Sequence, residues 1–346
     1  MPFQRVKEAI EAIKNGEMII IMDNENRENE GDLVFAAEFS TAEKINFMAQ
    51  EARGLICVSI TQDIASQLGL KPMVKKNNSN HNTAFTVSID AKEAKTGISA
   101  FERDLTIRLM CNPHATSDDF VKPGHIFPLI AKKNGVLVRD GHTEASIDIC
   151  ALAGLKQISV ICEIMKKDGS MARRGDKFLL EFAKEYQLKT LYVSDLITYR
   201  LRFEQLLECT SQTTSFFLGT PCKRFDFCDY FSRVHTALVF GEKSQQISLF
   251  KFHYIHSDIE LLSNQAEFEQ LMHSIKILKD SGGILVFLQM SPSCNKIQNT
   301  GIKAQIIRYF NITDFSLFTD ENHKEDEWVN FCEFGLNPIK YTQDNP

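Results

Sequence analysis

None of the nine cysteines forms a Cys-x-x-Cys pair, and their positions (57, 111, 150, 162, 209, 222, 228, 294 and 332) are scattered. A disulfide scaffold and a closed zinc knuckle are excluded on that spacing, and the thiols point to a reducing compartment. No apolar run approaches the roughly 18 residues that a membrane span requires. No apolar signal segment stands behind Met1-Pro2-Phe3-Gln4-Arg5-Val6-Lys7, so a cytoplasmic location is expected. Clustered Lys/Arg is also missing, and a net charge of −6 argues against nucleic acid as a main partner. There is no internal repeat. What remains is 346 residues, 43% hydrophobic and 24% charged, the composition of an ordinary globular protein long enough for two domains of roughly 150 residues.

The strongest local feature is Asp23-Asn24-Glu25-Asn26-Arg27-Glu28-Asn29-Glu30-Gly31-Asp32, with five carboxylates and one arginine in ten positions. It follows the apolar run Met18-Ile19-Ile20-Ile21-Met22, which reads as a short buried strand. Five like charges at a strand end repel one another, so the segment is either a solvated acidic turn or a site that gathers a hard divalent cation.

Periodicity organises the rest of the first 200 residues into alternating strands and helices. Helices are expected at 4–15, from the capping box Ser40-Thr41-Ala42-Glu43 to about Ala52, at 99–110, 143–153 and 175–186. Strands are expected at 33–37, 54–60, 84–89, 136–138, 158–163 and 190–193, with Pro123-Gly124-His125 breaking the chain before an apolar stretch at 126–131. Residues 201–232, irregular and rich in Phe, Thr and Ser, read as a linker. A second α/β unit follows, with strands at 237–240, 247–250 and 284–288, a helix through Phe268–Leu278 and a loose tail at 341–346. The fold class is therefore mixed α/β, with a first domain at 1–200 and a second, smaller α/β domain at 233–346.

Three segments place ionisable residues at strand ends, where ligand sites of α/β sheets form. They are the acidic loop, Arg139-Asp140-Gly141-His142-Thr143-Glu144, and Ile161-Cys162-Glu163. On residue chemistry alone these support a divalent-metal site with an anionic substrate and nothing narrower. Cys57 reads as strand packing, and His81 in the polar loop 77–82 as a solvent-exposed histidine.

The acidic loop resembles the signature loop of 3,4-dihydroxy-2-butanone 4-phosphate synthases. The resemblance continues through Thr96-Gly97-Ile98-Ser99-Ala100, Thr106-Ile107-Arg108, Pro123-Gly124-His125-Ile126-Phe127-Pro128-Leu129, Gly141-His142-Thr143-Glu144-Ala145 and Cys162-Glu163. It covers roughly residues 2 to 200, departing at Asn24 and Glu102, where the family often has Asp. It implies conversion of ribulose 5-phosphate to 3,4-dihydroxy-2-butanone 4-phosphate and formate, two Mg²⁺ or Mn²⁺ ions per subunit, a homodimer and a three-layer mixed α/β fold. Carried over by position, it makes Glu28 and His142 metal ligands. Arg27, Glu28, Asp32, Arg139, Asp140, Gly141, His142, Thr143 and Glu163 become substrate contacts, and His125, Glu163 and Asp32 become catalytic.

Residues 233–346 resemble a degenerate copy of the GTP cyclohydrolase II domain that is fused to this synthase in many relatives. That family holds zinc with three cysteines, two of them in Cys-x-Cys spacing, and this chain has no such pair. After Tyr254-Ile255-His256-Ser257 the chain runs into a helix instead, Gln289-Met290-Ser291-Pro292 replaces the family's Glu-Gly-Arg-Gly, and Leu317-Phe318-Thr319-Asp320 stands where the family has a Thr-Asn stretch. No zinc and no cyclohydrolase activity are expected. The alternatives are a bifunctional enzyme with unusual zinc ligands and a non-catalytic scaffold.

Overall fold

The computed structural model describes residues 2–241, 249–289, 296–318 and 325–340. The chain divides into two compact units, residues 1–199 and 200–346. The expected tail at 341–346, and parts of the segments expected at 247–250 and 317–320, lie outside the described residues.

The elements of the first unit, in chain order, are α1 (Pro2–Lys14), β1 (Ile19–Met22), β2 (Gly31–Ala36), α2 (Ala42–Phe47), β3 (Cys57–Ile60), α3 (Gln62–Gln67), β4 (Ile89–Ala91), α4 (Ala100–Met110), β5 (Phe120–Ile130), α5 (His142–Leu152), β6 (Ile158–Glu163), α6 (Lys177–Glu185), β7 (Lys189–Tyr192) and α7 (Val193–Phe203). The seven strands form a mixed sheet in the order β4-β5-β3-β6-β2-β1-β7. Strands β1, β2 and β3 are buried at every position, which explains their unbroken apolar runs. One face packs Ile20, Leu33, Phe35, Val58, Val160 and Cys162 against α2, α4 and α6. The other face carries Ile21, Asp32, Val34, Cys57, Ile161 and Glu163, and α5 lies across β1, β2, β3 and β6. Each large side chain so buried contributes about 1.5–3 kcal/mol. Thr41, rather than Ser40 of the expected capping box, caps α2, its side chain accepting from Lys44 N, so the helix starts one residue later than the box predicts.

Three expectations for this unit are corrected. Pro123, Gly124 and His125 do not break the chain but lie inside β5. The ladder to β4 slips between Ile89 and Asp90, so Pro123 falls in a bulge, where its missing N–H leaves no ladder bond unmade. Residues 136–138, expected as a strand, lie in a 3₁₀ turn over Gly135–Leu137 and its cap, because three apolar residues carry no period. The 84–89 segment makes isolated bridges at Phe85 and Thr86, and only Ile89–Ala91 is a strand.

In the second unit, β8 (Leu207–Phe217), β9 (Thr220–Asp229), β10 (Val234–Phe240), β11 (Leu249–Tyr254), β12 (Gly283–Leu288), β13 (Asp314–Leu317) and β14 (Asn337–Lys340) form a second sheet, ordered β14-β13-β11-β12-β10-β9-β8. Helices α8 (Asp258–Ser263), α9 (Gln265–Ser281), α10 (Lys296–Tyr309) and α11 (Glu325–Glu333) complete it. The linker reading of 201–232 is overturned, since most of that stretch is the β8–β9 hairpin. Its two-residue tip, Leu218-Gly219, has positive φ at both positions (45° and 77°), as a type I′ turn needs. Ser/Thr/Phe alternation on half-exposed strands looked irregular because polar β-branched residues replaced the apolar signal. One face of this sheet packs Leu238, Phe240 and Leu285 on Leu271, Ile275 and Leu278 of α9. On the other, Phe225 and Phe227 meet the rings of Tyr309 and Phe310 edge-on.

Candidate active site

The end of β1 delivers Asp23, fully buried, into the start of the acidic loop. Its carboxylate organises that loop: Oδ2 accepts from Arg27 Nη1 at 2.8 Å and from Glu28 N at 3.1 Å, and Oδ1 accepts from Glu30 N at 2.9 Å. Arg27 Nη1 also donates to Glu28 Oε2 at 2.7 Å. Asn29 turns the chain in the left-handed region (φ 57°), and Glu30 bridges to Arg173. The loop is thus a built structure rather than a solvated turn, although Glu25 at its tip is exposed.

His142, the first residue of α5, meets this loop from across the sheet. Its Nδ1 lies 3.5 Å from Glu28 Oε2 and 3.8 Å from Asp32 Oδ1. Ligand atoms of Asp23, Glu28 and His142 lie within 4.8 Å of one another. Buried His142 Nε2 and Asp32 Oδ1 have no hydrogen-bond partner among the described residues. Burial would raise the pKa of Glu28, but the His142 hydrogen bond and Arg27 overcome it and bring the carboxyl down to about 2. Burial, reinforced by Glu163 and Glu28, pushes Asp32 upward despite His142. Burial would lower His142, yet Asp32 and Glu28 together move it upward. Two carboxylates and an imidazole with an orphaned buried nitrogen are the donor set of a divalent-cation site.

Glu163 stands directly opposite Asp32 on adjacent strands, so the two side chains share a face. Its Oε2 accepts from Leu55 N at 2.9 Å. A Cβ on Gly54 would overlap the Glu163 carbonyl oxygen and lie 2.7 Å from Oε2, so only glycine leaves the carboxylate in place. Cys57, also on this face, is buried, and burial with Glu163 and Asp32 nearby pushes its thiol well up. It is an uncharged packing group here.

Arg139 is fixed by four bonds. Nη1 donates to Glu144 Oε2 at 2.5 Å, Nε and Nη2 to the His81 carbonyl at 3.2 and 3.0 Å, and Nη2 to Thr83 Oγ1 at 3.0 Å. His81 therefore serves this arginine through its backbone. A Cβ on Gly141 would overlap Arg139 Nη1 and lie 2.9 Å from Arg27 Nη2, so both guanidinium groups converge on the glycine that caps α5. Thr143 is buried in the first turn of that helix, and Asp140 is half-buried just before it. Two guanidinium groups at a helix N-terminus suit a phosphate. His125 stands apart from these contacts, its side chain 42% exposed and its Nδ1 2.8 Å from Asp90 Oδ2.

The sequence singles out neither Asp23 within the acidic loop, nor Asp90, nor Glu144 as a partner of Arg139. Glu144 lies in the segment 139–144, and a carboxylate five residues past an arginine is the available signal. Asp90 gave none, because its pairing crosses a strand bulge.

The model of the 3,4-dihydroxy-2-butanone 4-phosphate synthase family matches residues 7–199. A protein of that name from Helicobacter hepaticus is 57% identical over 351 residues, covering 98% of this chain and 99% of the relative. Among solved structures, RibBX, a two domain 3,4-dihydroxy-2-butanone 4-phosphate synthase from A. baumannii, is similar at 35% identity and a TM-score of 0.79, covering 98% of this chain and all of that one. A 3,4-dihydroxy-2-butanone 4-phosphate synthase solved with two magnesium ions is 38% identical at a TM-score of 0.53, covering 57% of this chain and 97% of its own.

Proposed function

The chain belongs to the 3,4-dihydroxy-2-butanone 4-phosphate synthase family, and from that premise we infer how its residues divide the reaction. It is a lyase of riboflavin biosynthesis that converts D-ribulose 5-phosphate to 3,4-dihydroxy-2-butanone 4-phosphate and formate, with Mg²⁺ or Mn²⁺, two ions per subunit, as cofactor. The observation that carries the site reading is buried His142, whose Nδ1 lies beside the carboxylates of Glu28 and Asp32 and whose Nε2 has no hydrogen-bond partner among the described residues.

Glu28 and His142 would hold the metal, with Asp23 offering a third donor. Bound divalent ions supply Lewis-acid polarisation of vicinal substrate oxygens on which negative charge develops. Arg27 keeps Glu28 ionised and aimed through its 2.7 Å bond. Arg139, Gly141 and Thr143 form the phosphate end, where the free N–H groups of the α5 N-terminus reinforce the guanidinium charge. Asp140 borders it. Asp32 and Glu163 face one another as a carboxyl pair able to divide acid and base duties, because two charges that close cannot both ionise without cost. His125 is a further proton carrier.

Formate release from ribulose 5-phosphate, measured with and without Mg²⁺, tests this reading. Metal-dependent formate that disappears in Glu28→Ala and His142→Ala is expected, and formate production indifferent to EDTA would refute it.

The second unit, residues 200–346 rather than the expected 233–346, is read as a degenerate GTP cyclohydrolase II-like domain, without cyclohydrolase activity. Beyond the missing Cys-x-Cys pair, its described cysteines are dispersed, with Cys209 on β8, Cys222 and Cys228 on β9 and Cys332 on α11. Formate from GTP together with one stoichiometric zinc per chain would instead support a bifunctional enzyme. A homodimer is also inferred, supported by apolar surface at the start of α4, where Phe101 is 74% exposed and Ile98 55%. A cytoplasmic location is also inferred, supported by cysteine spacing that suits no disulfide scaffold.

A further inference from the structure

The neighbourhood of His125 contains a second carboxylate arrangement that the site described above does not use. Asp90 sits on β4 just past the bulge, 6% exposed, and its two oxygens divide between two donors of one residue. Oδ1 accepts the backbone N–H of His125 at 2.8 Å, and Oδ2 lies 2.8 Å from the ring Nδ1. An ionised carboxylate only accepts, so the ring must carry its proton on Nδ1, which leaves the lone pair of the neutral imidazole on Nε2.

The surroundings hold this pair in place. Gly124 lets β5 approach β4, since a Cβ there would overlap the backbone of Ile89 and Asp90. Gly97 (φ 80°) closes the other side, where a Cβ would overlap Asp90 Oδ2 and lie 2.6 Å from His125 Nδ1. The turn carrying Gly97 is stapled by Glu102, whose carboxylate accepts from the N–H groups of Lys95 (2.7 Å), Thr96 (3.1 Å) and Gly97 (3.1 Å) and from the hydroxyls of Thr96 (2.8 Å) and Ser99 (3.1 Å).

We propose that Asp90 is a positioning residue for the synthase reaction: it grips the backbone and ring of His125 and fixes the tautomer that presents an unprotonated Nε2. This rests on the reading of His125 as a proton carrier.

The test compares full-length wild type, Asp90→Asn and His125→Gln, each loaded with Mg²⁺. In Asp90→Asn the His125 backbone N–H holds the amide oxygen, so the amide NH₂ faces the ring and drives the ring proton to Nε2. The expected result is a kcat lower by about 10²- to 10⁴-fold, with KM for ribulose 5-phosphate and Mg²⁺ affinity within about twofold. The imidazole ¹⁵N spectrum should show protonation moving from Nδ1 to Nε2. Inactive His125→Gln beside Asp90→Asn with kcat within about threefold of wild type overturns the proposal alone. Fully active His125→Gln overturns both the proposal and the reading beneath it. Should Asp90→Asn fail to fold, the wild-type spectrum decides: neutral His125 protonated on Nδ1 supports the proposal, and on Nε2 overturns it.

Discussion

Replacing Gly141 with alanine separates the work of this glycine from the stability of the fold. The backbone tolerates the change, because Gly141 has φ −104° and ψ 164°, open to any residue, and replacing glycine by alanine at a helix N-cap costs only about 0.5–1 kcal/mol. The added methyl, however, would overlap Arg139 Nη1 and lie 2.9 Å from Arg27 Nη2 and 3.1 Å from Arg139 Cζ. These are ends of flexible side chains, so the chain can still fold with the guanidinium groups displaced. Arg139 cannot move without losing bonds to Glu144, His81 or Thr83, nor Arg27 without losing Asp23 or Glu28. One or two charge-assisted bonds from the displaced guanidinium groups to the substrate phosphate, at about 1.5–3 kcal/mol each, correspond to a fall in kcat/KM of roughly 10- to 10³-fold or more. Formate assays over a range of ribulose 5-phosphate concentrations read the effect. The protein bonds given up also lower stability, by roughly 1.5–3 kcal/mol for one that water does not replace, so a melting temperature lower by about 3–12 °C on a chain that still folds is expected. Folded Gly141→Ala with kcat/KM within threefold of wild type would refute the convergence of the two arginines on substrate. Loss of the fold would refute the claim that their heads are free to shift.

Other substitutions probe neighbouring parts of the argument. Gly54→Ala meets backbone rather than a flexible tip, at the Glu163 carbonyl and 2.8 Å from Glu163 N, so destabilisation of about 1–3 kcal/mol is expected in thermal melts, with activity falling even in the folded fraction. Glu28→Ala should lower Mg²⁺ affinity more than about 100-fold by calorimetry, beyond the usual effect of losing a residue that only orients a ligand. In the second unit, burial opposes ionisation of Asp229, but hydrogen bonds from His235 and Arg233 bring its carboxyl down from 3.8 to about 2. A depressed carboxyl stabilises the fold above its unfolded value and loses that contribution as pH falls through the folded one. About 2 kcal/mol should therefore disappear between pH 4 and pH 2, visible in urea melts and absent from Asp229→Asn.

Much of the first unit was readable because its strands are buried on both faces and its helices carry one apolar stripe. Ile19–Met22 and Ile158–Glu163 are examples of the former, Val6, Ile10 and Ile13 of the latter. The acidic loop was readable as an anomaly of charge, while Glu28 and Asp32 were singled out within it by the family resemblance alone. What stayed hidden depended on contacts between distant segments. The pairing of Asp90 with His125 is set by a register slip, and the anchoring of Arg139 uses a backbone carbonyl at His81, which no side-chain pattern advertises. The β8–β9 hairpin was missed because its outward positions are Ser and Thr on a sheet edge, where burial no longer enforces apolar alternation.

The charge arrangement explains why an acidic loop is tolerated at the end of a buried strand. Asp23 is neutralised within the loop by Arg27 and two backbone N–H groups, and it gives the loop its shape. Glu28 remains ionised because the same arginine and His142 both face it. Asp32 and Glu163 are left opposite each other with His142 as the near cation, and burial raises Asp32 accordingly. The protein groups alone therefore cannot keep every carboxylate ionised. A divalent cation held here, as proposed above, would add the missing positive charge in place of the imidazole proton, since His142 has a buried Nε2 without a hydrogen-bond partner among the described residues. Crowding of like charges would thereby favour binding of the proposed cofactor, and Arg27, shared between Asp23 and Glu28, would link the shape of the loop to that binding.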